Sequence, residues 1–405
     1  MWGRFVIHGL HLRPLLTLSA RDPGIAGHVS PPGVSGAKLG KIAGQTAVVR
    51  LPAGCDDEGT TTGRRQFLRQ PPRLTFACEL DPARLTALFA DGTVAAELRA
   101  IEARVALMLS DFSDARAMVV RQLNAAGVPV VAIPLMPYED GYYFTTDNAP
   151  RAAERYEQWQ GWAAEHRLAW EGVGLDIEPE ARIYELLVAK PRALLPMLLP
   201  RLRDTGRIRR ARAAYAALVE QIRADGYHVG NYQFPIIIEE RRAGSTLLQR
   251  LLGLVDVSTD REVWMLYSSV MRGIGPALLW SYGPEAQAIG VGSTGGGPDI
   301  PGHPQVPALG WEELAEDLRR ARRSCDDLLI HSLEGCVQRG FLPRLRTFDW
   351  HQEATRPANA WLAASLRRTL LLAFWASAHP LETLGLASAS IWILSRRACS
   401  RRLPA

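Results

Sequence analysis

Eight short apolar runs, separated by segments with helical periodicity, are the feature that most constrains how this chain can fold. They lie between residues 73 and 350, and each is apolar almost throughout instead of alternating between apolar and polar residues. Such runs are typical of parallel strands covered by helices on one face and by a packed interior on the other. Repeated strand–helix units predict an α/β fold. Eight of them predict one closed (β/α)8 TIM barrel.

The predicted strands are separated by helices whose ends carry capping signals. Asp81 is a good N-cap for a first helix over Pro82–Ile101, and Gly127 ends a second helix that begins near Ala115. An open doubly wound sheet is the alternative that the same pattern leaves open. The predicted strands cover residues 74–80, 105–110, 128–136, 172–179, 228–235, 263–269, 288–294 and 327–335.

Three regions follow from this pattern. Residues 1–72 are rich in Gly, Pro, Thr and Arg and predict a poorly ordered leader. Residues 73–368 are the predicted barrel, with a helical insert at 181–226 that we expect to be broken at Pro191, Pro196 and Gly206. Residues 369–405 predict an apolar helical tail with a basic end.

The tail leaves two predictions open. Residues 369–395 are long enough to span a bilayer and are followed by arginines. His379, Pro380 and Glu382 lie in the middle of this segment, where they would be costly in hydrocarbon. A closing barrel helix with an interfacial apolar segment therefore competes with a membrane anchor, and the localisation of the protein stays undetermined.

Composition argues against several other classes of partner. The net charge of +5 is spread over Arg201–Arg212 and the last ten residues without interleaved aromatic rings, which argues against nucleic-acid binding. The five cysteines form no C-x-x-C pair and no zinc-spaced cluster, so neither a structural metal nor a disulfide framework is indicated. The glycine-rich stretch 292–304 lacks the G-K-[ST] ending of a phosphate loop, so no cofactor is expected. We read it as a mobile lid that brings Asp299 and His303 towards the site.

The carboxyl ends of the strands are where barrels of this kind place their function. Because side chains alternate along a strand, Asp176 and Glu178 point to the same side, roughly 7 Å apart. Neighbouring carboxylates repel when both are ionised, so the pKa of one rises and that residue can act as a general acid. A salt-bridged pair at a loop start is the structural alternative. We predict Glu178 and Asp176 as catalytic, together with Glu334 across the barrel mouth.

Aromatic and polar residues near the same ends predict contacts with a sugar. Tyr138, Tyr142, Tyr143 and Phe144 follow strand three, and apolar sugar faces stack on such rings, although local loop packing explains them equally well. For Glu79 and Asp111 a structural alternative stays open, since Asp81, Asp111 and Asp114 all lie where helix N-caps are wanted. The predicted substrate-binding residues are Tyr267, Tyr232, Gln233, Glu79, Asp111 and Tyr142.

The segment EGVGLDIEPE resembles the strand-four signature of family 18 glycoside hydrolases, with Asp176 and Glu178 matching its last two acids. In WMLYSS, Met265 and Tyr267 are similar to the M-x-Y-D of that family. The resemblance implies that Glu178 protonates the glycosidic oxygen, while Asp176 and Tyr267 hold a substrate N-acetyl group. The sequence departs at Gly174 and Ser268, where the family has Asp, and it lacks the S-x-G-G of strand three and the terminal Trp of strand eight. D-x-E on a strand also resembles the family 25 lysozymes.

Three functions remain open from the sequence. The first is a glycoside hydrolase acting on a polysaccharide or glycan, with Glu178 as acid and either substrate assistance or Glu334 as nucleophile or base. The second is a catalytically inactive barrel that binds a glycan or an envelope component. The third is a metal-dependent enzyme in which Asp176, Glu178, Glu334 and Asp111 ligate Mg²⁺ or Mn²⁺.

Overall fold

The computed structural model describes residues 71–297 and 306–400, and these contain the predicted barrel. Eight parallel strands are hydrogen-bonded in chain order, and β8 closes the sheet against β1. The closed barrel is therefore confirmed, and the open doubly wound sheet is excluded. The strands are β1 (Arg73–Cys78), β2 (Arg104–Leu109), β3 (Val130–Pro134), β4 (Gly172–Asp176), β5 (His228–Gln233), β6 (Arg261–Met265), β7 (Ala288–Gly292) and β8 (Asp327–His331).

Helices follow each strand. After β1 to β4 they are α1 (Pro82–Phe89), α2 (Thr93–Ala100), α3 (Asp114–Ala125), α4 (Ala152–Glu165), α5 (Ala181–Ala189), α6 (Pro191–Leu198) and α7 (Thr205–Ala224). After β5 to β8 they are α8 (Ile237–Ala243), α9 (Leu247–Leu252), α10 (Gly275–Tyr282), α11 (Trp311–Arg322), α12 (Leu333–Gln338), α13 (Phe341–Arg346), α14 (Ala360–Ala378) and α15 (Pro380–Ser400). Short 3-10 turns lie at Tyr138–Asp140, Ala149–Arg151, Pro200–Arg203 and Gly283–Glu285.

Side chains alternate between the barrel interior and the layer beneath the helices. In β6, for example, Val263 and Met265 pack inside the barrel, while Trp264 packs in the outer layer. Gly174 faces the interior, and a Cβ there would lie 2.8 Å from the ring of Tyr232. The glycine thus makes room for an aromatic ring inside the barrel. This inward set defines which side chains can reach the barrel mouth.

The first predicted helix is in fact two helices. Asp81 caps α1 as expected, since its carboxylate accepts hydrogen bonds from the amides of Ala83 and Arg84 at 3.0 Å. Gly92 then takes a left-handed φ of 75° and separates α1 from α2. In the insert, Pro196 lies inside α6 and Gly206 lies in the first turn of α7, so neither breaks a helix.

Strand eight ends earlier than predicted. It stops at His331 because the next residue, Ser332, caps α12, with its hydroxyl accepting a hydrogen bond from the Gly335 amide at 3.1 Å. Glu334 therefore lies in the first turn of a helix and not on a strand. This corrects the predicted placement of Glu334 at the end of strand eight.

The amino-terminal end of the barrel contains an open cavity of about 1290 Å³. Arg104 and Arg261, from the first residues of β2 and β6, both bind the carboxylate of Asp327 there, at 3.2 and 2.6 Å. Arg104 also donates to Thr75 at 2.8 Å. The cavity lies at the end of the barrel opposite to Asp176 and Glu178.

Helix α14 crosses the predicted boundary at residue 368 and packs on the barrel. Arg367 donates to Glu239, Glu285 and the Ser281 carbonyl, each at 2.7 Å. The apolar C-terminal helices are confirmed. No single described helix has the length and hydropathy needed to span a membrane, whereas α14 and residues Pro380–Trp392 meet that requirement as a pair bent by 109°. The predicted leader lies outside the described residues, apart from its last two prolines.

Removal of the Arg367 guanidinium should destabilise the barrel. Arg367→Ala leaves Glu239, which is 1% exposed, without its cation, and we expect the free energy of unfolding to fall by about 3 kcal/mol. Arg368→Ala, at the exposed neighbouring position, should change it by less than about 0.5 kcal/mol. Urea unfolding followed by tryptophan fluorescence measures both. Equal losses in the two variants would contradict this role of Arg367.

Candidate active site

The paired carboxyls Asp176 and Glu178 lie at the carboxyl end of β4. The loop after β3 runs beside them, since the Phe144 amide donates to the Asp176 carbonyl at 3.0 Å and the Glu178 amide donates to the Phe144 carbonyl at 3.2 Å. These bonds extend the strand geometry past Asp176, so the two carboxyl side chains point to the same side. Asp176 is 4% exposed, whereas Glu178 is partly accessible from the mouth.

Glu79, two residues after β1, joins this pair from another side of the barrel. Its Oε1 accepts a hydrogen bond from the Tyr142 hydroxyl at 2.8 Å. Tyr142 has a left-handed φ of 67°, which bulky residues rarely adopt, and its carbonyl accepts a hydrogen bond from the Met136 amide at 2.8 Å. The loop after β3 is thus held in a strained conformation that directs a phenol at Glu79.

His331, the last residue of β8, lies between Glu79 and Tyr267. Its Nε2 is 3.9 Å from Glu79 Oε2, and its ring centroid is 5.4 Å from that of Tyr267. Burial lowers the pKa of His331, but the Glu79 carboxylate and the charges of Glu334 and Glu178 outweigh burial and raise it.

Tyr184, from α5, donates a hydrogen bond to Glu178 Oε2 at 2.7 Å. The sequence analysis missed Tyr184 and His331. His331 had a readable signal, because it stands two residues after the inward Leu329 and so faces the interior. Because the predicted strand eight extended to residue 335, His331 was not recognised as the last residue of the strand. Tyr184 carried no such signal, since it lies in a helical insert whose direction the pattern did not fix.

Burial and neighbouring charge raise the pKa of both paired carboxyls. Burial, together with the charge of Glu79, raises the pKa of Glu178 to about 7, although the Tyr184 hydroxyl and His331 oppose the rise. Burial raises the pKa of Asp176 well above its usual value, and the charges of Glu178 and Glu79 add to it. Glu178 can therefore donate a proton at neutral pH.

Two predicted substrate-binding tyrosines lie below or beside these carboxyls. Tyr267 faces the mouth, partly exposed, with its ring over Gly290. Tyr232 is 3% exposed and lies inside the barrel, where its ring fills the space above Gly174. Tyr267 is therefore open to a bound molecule, whereas Tyr232 forms part of the floor. We define the mouth cluster as Glu79, Tyr142, Tyr143, Asp176, Glu178, Tyr184, Tyr267 and His331.

Gln233 and Asp111 are directed to other partners. Gln233 follows the inward Tyr232 directly, so it faces the outer layer, where its amide donates to the Val255 carbonyl at 3.0 Å. Asp111 accepts hydrogen bonds from the Ser113 amide at 3.1 Å and from the buried Arg116 at 3.0 Å. Burial opposes ionisation of Asp111, but these donors outweigh it and lower its pKa. The contacts of Asp111 match the capping alternative, whereas Gln233 is turned away from the site to which the sequence assigned it.

Glu334 is held by the loop after β7. Its Oε1 accepts a hydrogen bond from the Gly297 amide at 2.8 Å, and the carboxylate is 1% exposed. Gly295, Gly296 and Gly297 all have positive φ, and a Cβ at Gly296 would overlap the Glu334 side chain. Asp299 and His303, from the predicted lid, lie outside the described residues.

A metal centre would need a different arrangement from the one seen here. Within residues 71–297 and 306–400, no three His, Cys, Asp or Glu side chains are placed to hold a metal ion. Of the four ligands that the sequence suggested, Asp111 is bound to Arg116, and Glu334 accepts from the Gly297 amide.

Comparison with solved structures finds matches of low sequence identity and low TM-score. No protein-family model and no curated protein matches the chain. A D-psicose 3-epimerase solved in the presence of D-fructose is 10% identical over 74% of this chain and 99% of its own, with a TM-score of 0.34. Gas2 in complex with a compound is 11% identical over 64% and 55%, with a TM-score of 0.32. An uncharacterized B. cereus protein is 10% identical over 70% and 67%, with a TM-score of 0.30. These similarities do not identify a substrate or a reaction.

The raised pKa of Glu178 should appear in the stability of the protein. A carboxyl with a pKa near 7 in the native state and 4.5 ordinarily stabilises the fold most below pH 4.5, and this contribution is lost as the pH rises through 7. We therefore expect Glu178→Gln to be more stable than the wild type at pH 8 and equal to it at pH 4. Thermal unfolding across this range measures the difference. Glu180→Gln, the next carboxyl along the chain, is the control, and a similar gain there would contradict the assignment.

Proposed function

We propose that the barrel mouth hydrolyses a glycosidic bond, with Glu178 protonating the glycosidic oxygen. The observation that carries this proposal is the convergence of Glu178, Asp176 and Glu79 at the carboxyl ends of β4 and β1, beside partly exposed tyrosines. A general acid must hold a proton at the working pH, contact solvent and be kept in one orientation. Glu178 meets these conditions through its pKa of about 7, its partial exposure and its hydrogen bond from Tyr184.

Asp176 assists Glu178 in this proposal. It lies beneath Glu178 on the same side of the strand, and its buried Oδ1 has no hydrogen-bond partner among the described residues. An ionised carboxylate is costly in that position, so burial favours the neutral acid. A neutral Asp176 allows Glu178 to ionise and regain its proton without a second full charge beside it.

The tyrosines of the mouth cluster supply surfaces that suit a carbohydrate. Tyr143 packs edge-on against both Tyr142 and Tyr184, with ring centroids 5.0 and 6.5 Å apart. Tyr184 and Tyr267 remain partly exposed, so a ring face or a hydroxyl of each can contact a ligand. Aromatic rings with a polar group at one end suit sugars, whose apolar faces are bordered by hydroxyls.

The family 18 resemblance implies a finer version, in which a substrate N-acetyl group attacks with the help of Asp176 and Tyr267. Tyr267 is suitably placed for this. At the two departures from the family pattern, however, the ring of Tyr232 fills the space at Gly174, and Ser268 is buried against Asp317. The general form of acid-catalysed hydrolysis, without substrate assistance, therefore has more support.

Glu178→Gln should greatly slow the hydrolysis of unactivated substrates. We expect its kcat on natural oligosaccharides, including N-acetylglucosamine oligomers, to fall by about 10²–10⁴-fold, the usual contribution of a general acid. On a dinitrophenyl glycoside, whose leaving group needs no proton, the loss should be far smaller. A panel of aryl glycosides and oligosaccharides measures both rates.

Glu180→Gln is the matched control in this panel and should retain activity on every substrate. Equal losses of Glu178→Gln on both substrate types would remove the acid role. A wild type that binds sugars and cleaves none would instead support the catalytically inactive, glycan-binding barrel.

The pH profile should respond to Tyr184. The acid must be protonated, so we expect kcat to decline as the pH rises through about 7. The Tyr184 hydroxyl stabilises the ionised form of Glu178, so Tyr184→Phe should move the alkaline limb of the profile to higher pH. Tyr156→Phe removes a similar bond, to Asp225, outside the mouth cluster and should leave the limb in place. A limb that does not move in Tyr184→Phe would argue against Glu178 as the titrating group.

A further inference from the structure

Glu79 and Glu178 lie at the same barrel mouth but differ in exposure and in the groups that contact them. Glu178 is partly exposed and faces one hydroxyl, from Tyr184, whereas Glu79 is 6% exposed and lies between a hydroxyl and an imidazole. We propose that Glu79 is the second carboxylate of the hydrolysis, the base that takes a proton from the attacking water, and that His331 and Tyr142 position it. This inference rests on the proposed function.

Two neighbouring side chains hold the Glu79 carboxylate in place. Tyr142 donates to Oε1 at 2.8 Å, and the His331 Nε2 lies 3.9 Å from Oε2. The Tyr142 hydroxyl binds one carboxylate oxygen, and the His331 ring lies beside the other. Glu79 is thus kept in one orientation at the mouth, as a base that must face the attacking water has to be.

The surroundings of His331 explain why it is suited to this task. The carboxyl groups of Glu79, Glu334 and Glu178 and the ring of Tyr267 face it. The peptide at Gly297 lies against the other side of the ring, where a Cβ would be 3.7 Å from Cε1. The His331 Nδ1 is buried, with no hydrogen-bond partner in the described part of the chain. His331 is thus fixed in place by packing and acts on the reaction through Glu79.

The topology of the barrel places Glu79 and Glu178 on different sides of the mouth. Glu79 follows β1 and Glu178 follows β4, with β2 and β3 between these strands on one side and β5 to β8 on the other. In glycosidases that invert configuration, the two carboxyls are about 6.5–9.5 Å apart, so that a water fits beside the sugar. A base role for Glu79 requires this wider separation, which the stereochemistry of the product reports.

The proposed step is a single displacement by water. The oxygen of water forms a bond to the anomeric carbon as the bond from that carbon to the glycosidic oxygen breaks. Glu79 takes one proton from the water, and Glu178 gives its proton to the leaving oxygen, which departs as an alcohol. One glycosidic bond and one water become two hydroxyl groups, and both carboxyls return to their starting states by proton exchange with solvent.

Glu334, which the sequence suggested for this role, is less suited to it. Its carboxylate is 1% exposed, and one oxygen accepts the Gly297 amide. The charge of Glu79 raises the pKa of both Glu178 and Asp176. The charge of Glu334 instead raises the pKa of two other groups, His331 and Cys78. Burial is the larger cause of the rise for Cys78.

The first experiment compares Glu79→Gln with Glu334→Gln on a substrate that the wild type cleaves. We expect kcat to fall on the order of 10²–10⁴-fold in Glu79→Gln, with an unchanged melting temperature, and less than about tenfold in Glu334→Gln. Sodium azide or formate should restore part of the activity of Glu79→Ala, because a small anion can occupy the vacated space and replace the missing base. A Glu79→Gln variant with the wild-type rate, or a Glu79→Ala variant that neither anion rescues, would overturn the inference.

The second experiment follows the anomeric configuration of the first product by proton NMR. Inversion is expected. Retention would overturn the role of Glu79 as a base, and retention limited to N-acetylated substrates would instead support the substrate-assisted route.

The third experiment tests the positioning role of His331. Because His331 acts through Glu79, His331→Gln should reduce kcat in the wild-type background and cause little further loss in the Glu79→Gln background. A merely structural role would give equal losses in both backgrounds, and that result would overturn the role proposed for His331. Failure of the two proposals is distinguishable. A wild type that cleaves no substrate overturns the proposed function, whereas a cleaving wild type with an active Glu79→Gln overturns only this inference.

Discussion

The alternation of side chains along closed parallel strands is the constraint on which the rest of this structure depends. Once the barrel closes, only every second residue of each strand points inward, and the last inward residues of all eight strands share one small space. Glu79, Asp176 and Glu178 meet for this reason, although they are far apart in the sequence. The same rule places Tyr267 and His331 beside them. The electrostatics of the mouth cluster follows from closure of the sheet.

The sequence predicts the barrel and the Asp176–Glu178 pair because both depend on local patterns, namely apolar runs and period-two alternation. Consistent use of the same rule would have excluded Gln233, because Tyr232 and Gln233 are consecutive and cannot both face inward. The end of strand eight was harder to predict from the sequence, because Ser332 lies within an apolar run and also caps a helix. Tyr184 reaches Glu178 only through the path of the insert, which no local pattern encodes.

Burial of several carboxyls in one mouth opposes folding, and the surrounding residues offset only part of that cost. Glu79 receives the Tyr142 hydroxyl and the His331 ring, and Glu178 receives the Tyr184 hydroxyl. Asp176 Oδ1 has no partner among the described residues. Tyr142 adds a left-handed backbone conformation at the same place. Such unfavourable features persist only where the surrounding fold holds them, and they are concentrated at functional sites.

The glycine-rich loop after β7 lies where many (β/α)8 barrels hold the phosphate group of a substrate, between the loops after the seventh and eighth strands. Here the Gly297 amide donates to Glu334, so the chain supplies its own anion at that position. A phosphorylated ligand entering there would meet a fixed carboxylate in place of free backbone donors. The contact between Gly297 and Glu334 thus occupies, within this chain, the position at which other barrels bind a phosphate.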